Sequence, residues 1–163
     1  MKVCIIQPPY SADYEKSDEC YAKQIELIDS CDESMDIIVL PEACDIPCLA
    51  NTLEQREKSV NKYNKHLLEK CSQTAKRCNA MLFVNARYKS EKGLINTTYA
   101  YNRNGEVAGM YFKEHPTQTE VEGPERDSEY SYRFTKPTVI EMEGIRFGFL
   151  TCYDFYFYEN YAN

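Results

Sequence analysis

The sequence predicts an α/β fold, a layered sheet of mixed strand direction. Two observations carry this. Up to about residue 89, strand-sized apolar runs alternate with helix-patterned segments, and beyond it two further pairs of runs flank the turns at Asn104-Gly105 and Glu143-Gly144. Helical crossovers favour parallel neighbours and tight turns favour antiparallel ones, so a chain with both builds a mixed sheet.

The first run, "KVCIIQ", stops at Pro8-Pro9. From Ser17, "SDECYAKQIELIDSCDE" spaces Cys20, Ile25 and Ile28 along one helical face. "MDIIVLPEA" is a second buried strand that ends at Pro41, because proline cannot continue a central ladder, and Glu42 therefore stands just past a strand's carboxyl end. Between about Asn51 and Cys78, the spacing of Val60, Tyr63, His66-Leu67 and Cys71 marks a long amphipathic helix, followed by the strand "AMLFVNARY". "NTTYAYNRNGEVAGMYFK" reads as a hairpin through Asn104-Gly105. "EHPTQTEVEGPERDSEYS" is polar and long, as functional loops often are, and "TVIEMEGIRFGFLT" is a last strand pair.

A chain of 163 residues with 43% hydrophobic and 28% charged residues fits one folded domain, 1–163. Its net charge of -7 supplies no basic stripe, which argues against nucleic acid. No apolar run approaches the roughly 20 residues that span a bilayer, so no membrane partner is expected. Met1-Lys2 leads straight into a strand, unlike a secretory signal, so the eight cysteines are read as free thiols and the location as cytoplasmic. Cys44 and Cys48 lack a second Cys or His pair at zinc spacing, and neither a metal nor another cofactor is implied. Without such a leader, the sequon Asn96-Thr97-Thr98 carries no weight.

Three reactive side chains follow three strands: Glu42 after "IIVLP", Lys113 after "VAGMYF" and Cys152 after "IRFGFLT". Ligands of open α/β sheets bind beyond the strand carboxyl ends, so the three are expected to converge. A thiol attacks as thiolate, which calls for a base or a positive field that lowers its pKa. Glu42 is the candidate base, and Lys113 with a backbone N–H after Cys152 would stabilise an oxyanion. A helix beginning at "YDFYFYENYA" would add its dipole. Taken singly, Glu42 and Lys113 are ordinary surface residues, and Cys152 an ordinary buried thiol.

Together, "VLPEA", "YFKEHP" and "TCYDFYFYE" resemble, in order and spacing, the Pro-Glu, aromatic-x-Lys-x-His and Cys-x-Asp segments of the nitrilase or carbon-nitrogen hydrolase superfamily. The resemblance implies an α-β-β-α sandwich, here its N-terminal portion only, and hydrolysis of a small amide or carbamoyl compound through a cysteine thioester. It makes Glu42 the base, Lys113 the support of the tetrahedral intermediate and Cys152 the nucleophile. Glu129 is expected as a second glutamate, ahead of Glu120 and Glu122. Tyr153 and His115 are assigned to substrate binding, and His115 reads as a structural hydrogen-bonding residue rather than a catalyst, since the base is already Glu42. The chain departs from the family pattern at Tyr156 and Tyr158, where arginine and proline are usual, and at Pro116, where leucine is usual. It also ends soon after the nucleophile, so it is expected to be C-terminally incomplete relative to the family. A homo-oligomer or a completing second chain then becomes the expected partner, and a non-catalytic half-domain acting by association the alternative function.

Overall fold

The computed structural model describes residues 1–91, 93–118, 120 and 138–157. Five strands form one sheet: β1 (Val3–Ile5), β2 (Ile37–Val39), β3 (Met81–Ser90), β4 (Gly93–Tyr101) and β5 (Val107–Phe112), in that spatial order. The pairs β1/β2 and β2/β3 are parallel, whereas β3/β4 and β4/β5 are antiparallel. Helix α1 (Ser17–Asp29) makes the first crossover and α2 (Leu53–Cys78) the second. A separate antiparallel pair, β6 (Val139–Met142) and β7 (Ile145–Gly148), completes the described elements. The mixed direction follows from chain order, since helices separate the first three strands and short turns the rest.

Side-chain alternation sorts the sheet's two faces. Ile38, Leu82, Val84, Tyr99 and Tyr101 pack with Tyr63, Leu67 and Cys71 of α2 and with Ile28 of α1. Ile37, Met81, Phe83 and Ala100 face the other way, onto Ile140 and Met142 of β6. The five-stranded sheet is thus covered by helices on one face and by a second sheet on the other, which gives the order α-β-β. A strand buried on both faces must be apolar at successive positions, the reason "IIV" and "MLFV" show no alternation.

The helices obey local signals. Thr52 caps α2, accepting from the Gln55 N–H at 3.2 Å, and the helix stops where Asn79 turns left-handed at φ 50°. On α1 the buried stripe is Cys20, Tyr21, Gln24 and Ile28, while Ile25 is only half-buried. Gln24 belongs to that stripe because its amide donates to the Cys44 carbonyl at 3.0 Å. At the β4–β5 turn, Gly105 has φ 79° and lies so close to α2 that an added Cβ would stand 2.4 Å from the Ser72 carbonyl oxygen. The β6–β7 turn likewise takes positive φ at both Glu143 and Gly144, the conformation a two-residue hairpin loop requires. No helix among the described residues is long and apolar enough to cross a membrane.

Candidate active site

The inner face of β3 changes character along its length. Met81 and Phe83 are apolar, and Asn85 and Arg87, two and four residues further on, are buried and polar. This polar end is where β2 delivers Glu42. The backbone after Glu42 is pinned by Asn85, whose side-chain oxygen accepts from the Ala43 N–H at 2.8 Å and whose carbonyl accepts from Cys44 at 2.9 Å. Ala43 takes a left-handed φ of 61° there, which turns the chain sharply beneath the carboxylate.

Asn85 also donates to the Asn96 side-chain oxygen at 2.7 Å, across from β3 to β4. The Asn96 amide then divides its two hydrogens between two acids, Glu42 at 2.7 Å and Glu120 at 2.8 Å. Lys113, in the residue after β5, reaches the same pair: its Nζ lies 3.0 Å from Glu42 and 2.9 Å from Glu120. Side-chain exposure is 2% for Lys113 and 8% for Glu120 but 31% for Glu42, so the outer acid alone of the three meets the cavity broadly.

Charge follows from this packing. Burial pushes Lys113 down, yet the Glu120 and Glu42 carboxylates outweigh it and hold the ammonium above its ordinary value. Burial pushes Glu120 up, but the hydrogen bond from Asn96 and the charge of Lys113 prevail and hold it below the usual carboxylate range. Both groups are therefore ionised at neutral pH.

Cys152 stands exposed at the end of the strand pair, in a left-handed backbone conformation with φ 50°. Non-glycine residues reach that region at a cost of about 1–3 kcal/mol and stay there only when the surroundings fix them. Here Asp154 does the fixing. Its fully buried carboxylate accepts from the Thr151 N–H at 2.9 Å, the Tyr111 hydroxyl at 2.7 Å and the His115 N–H at 2.8 Å. Burial first, and then the charge of Glu42, push the Cys152 thiol up, with Lys113 opposing them and a hydrogen bond to Glu42 adding to the rise. This corrects the expectation of a lowered thiol pKa. The resting thiol thus holds its proton beside the Glu42 carboxylate. Over the described part of the segment that follows, a single 3-10 turn covers Cys152–Tyr156.

A cavity of about 230 Å³ joins Glu42, Lys113, Glu120 and Cys152, with Tyr10 and Arg56 among its walls. The sequence-expected convergence of Glu42, Lys113 and Cys152 is thus found. Glu129 and Glu122 lie outside the described residues; among those described, Glu120 and Glu42 meet Lys113. Neither Tyr153 nor His115 lines this cavity. His115 instead stacks on Phe157 with ring centroids 3.6 Å apart and contacts Asp154, while Tyr153 packs edge-on against Phe157. Asn96, seen in sequence only as a sequon, is 5% exposed and belongs to the acid network. The signal for it was the polar interruption of two buried strands, "FVNAR" and "INTTY".

The fold is thus a three-layer α-β-β arrangement that brings a carboxylate, an ammonium and a thiol together at its strand ends. The carbon-nitrogen hydrolase family model matches residues 2–162, and the chain belongs to that family. No curated protein matches it. Among solved structures, a carbon-nitrogen hydrolase from Helicobacter pylori G27 superposes with a TM-score of 0.66 at 17% identity, covering 98% of this chain and 54% of that one. An amidase variant from Nesterenkonia sp. AN1, with acrylamide added to its active-site cysteine, gives 0.69 at 15% identity, covering 98% and 60%. Nit3 of Saccharomyces cerevisiae, a member of the nitrilase superfamily, gives 0.65 at 22% identity, covering 98% and 58%. The chain therefore spans little more than half the length of these neighbours, whose likeness establishes the fold.

Proposed function

We propose that the chain carries the nucleophile and its charge machinery for hydrolysis of a small amide or carbamoyl compound through a thioester at Cys152. The observation that supports this best is the shared contact of Lys113 and Asn96 with Glu42 and Glu120, in one cavity with the Cys152 thiol. Glu42 takes the thiol proton as sulfur bonds to the carbonyl carbon, and the electron pair of the C=O moves to oxygen. The Lys113 ammonium and a backbone N–H after Cys152 stabilise that oxyanion. Its collapse breaks the C–N bond, and Glu42 returns the proton to the departing amine. Water then attacks the thioester, again losing its proton to Glu42, and releases the acid and the free thiol. Glu120 takes no proton; it positions Lys113.

A second reading is that the chain acts in association with another polypeptide. An apolar cleft of about 410 Å³, walled by Val39, Phe83, Phe147, Phe149 and Leu150, opens beside Cys152 between the two sheets and supports it. Ammonia release from a panel of small aliphatic amides, with an acyl adduct detected by mass on Cys152, is the expected result and should vanish in Cys152→Ala. Absence of both adduct and ammonia from the folded chain alone would remove the first reading and leave the second.

A further inference from the structure

The chain holds a thiol pair that does not line the Glu42 cavity. Cys4 lies on the edge strand β1 and Cys31 just past α1, with their sulfurs 3.9 Å apart in a thiol–thiol contact. The Cys31 backbone is clamped by Arg77, whose guanidinium donates to its carbonyl at 2.6 Å and to Ile28 at 3.3 Å. One partner is thus fixed and the other sits on an edge strand. A disulfide needs the sulfurs about 2.05 Å apart, so the contact has still to close by roughly 2 Å.

We propose that Cys4 and Cys31 are an oxidative modification site, joined as a disulfide by hydrogen peroxide.

Cys4 is half-buried while Cys31 lies in the core, so peroxide meets Cys4 first. The Cys4 sulfur attacks one peroxide oxygen, the O–O bond breaks, and sulfenic acid and one water form. The Cys31 sulfur then attacks the Cys4 sulfur, the S–O bond breaks, and a second water leaves. Two thiols lose two electrons and two protons, and one peroxide becomes two waters. Burial first, and then Cys4, push the Cys31 thiol up to about 12, so the second step quickens as pH rises. The closed loop contains all of α1 and also Tyr10, a wall of the Glu42 cavity. Oxidation would therefore fasten the segment leading into that wall. Nothing in this site depends on the hydrolase reading.

The test treats the intact protein with hydrogen peroxide, caps remaining thiols with N-ethylmaleimide under denaturing conditions, and maps the peptides without reduction. The expected product is a Cys4–Cys31 cross-linked peptide about 2 Da lighter than its two halves, reversed by dithiothreitol. Its yield should rise with pH, and the oxidised protein should melt several degrees higher because the unfolded chain is constrained. Cys4→Ser and Cys31→Ser should each abolish the product. Recovery of both cysteines as maleimide adducts while Cys152 is oxidised would overturn the proposal. So would a bond from Cys4 to Cys78, a thiol near enough to feel Cys4 electrostatically.

Discussion

Lys113 and Glu120 stand seven residues apart and meet twice, Nζ lying 3.1 Å from one carboxylate oxygen and 2.9 Å from the other. The second oxygen also accepts from the Thr117 N–H at 2.7 Å and from its hydroxyl at 3.0 Å. Such a fully engaged acid has no spare lone pair for proton work, and its part is to aim the ammonium.

The pair sets an acid limit on stability. Glu120 is held below its ordinary value, so its contribution is present above the unfolded carboxylate range of about 4.3 and is lost as pH falls through the lower folded value. Lys113 is held above its ordinary value, so its contribution is present below about 10.4 and fades only as pH rises through the folded value. Urea midpoints measured from pH 3 to 8 should fall on the acid side in the wild type. Glu120→Gln should lower the neutral-pH stability by roughly 3 kcal/mol, the scale for breaking a buried pair, and flatten the acid limb. An unchanged acid limb would refute this account.

Glu42→Gln separates two effects that are usually confounded. Amide hydrolysis should drop by roughly 10²–10⁴-fold with the loss of the base. The same change removes the carboxylate that raises Cys152 and leaves Lys113 in place, so alkylation of Cys152 by iodoacetamide should shift toward lower pH. In the wild type that profile should rise only above the ordinary thiol value of about 8.5. A slower enzyme with a more readily ionised thiol is the expected pairing; an alkaline shift in the variant would contradict it.

Asp154→Ala should cost about 3 kcal/mol in chemical denaturation, since it strands the buried donors of Thr151, Tyr111 and His115. Because Cys152 owes its left-handed backbone to that turn, its alkylation should revert toward an ordinary thiol profile. Asp154→Asn keeps an acceptor and should recover part of both.

Gly105→Ala supplies the control far from the site. The added methyl would press on the Ser72 carbonyl at 2.4 Å in a backbone conformation alanine avoids, at a cost of roughly 2–3 kcal/mol. Cys152 reactivity should stay as in the wild type wherever the protein remains folded.

Much of this was legible in the sequence because strand-ending prolines and turn residues speak locally. Pro41 announces that Glu42 follows a strand, and Glu143-Gly144 announces a hairpin, and both hold. That Glu120 meets Lys113 is not legible in the sequence, because which acid of a polar segment folds back onto the ammonium depends on the path after Thr117, which no periodicity records. Asn85 and Asn96 were passed over for a related reason: a buried amide is explained only by its partners, and these come from β4, the Glu42 turn and Glu120. The thiol's raised pKa is not legible in the sequence either, because its largest cause is burial, and the neighbouring carboxylate's negative charge adds to the rise.

The Asn85–Asn96 bond has one more consequence. Sliding β4 along β3 by two residues would keep every side chain on its proper face, so inward and outward facing alone does not reject that neighbour. The amides do distinguish it, because a displaced Asn96 abandons Asn85 and both acids together and leaves buried polar groups with nothing to bond. The network that arranges the charges is therefore also the proofreader of the strand pairing on which they stand.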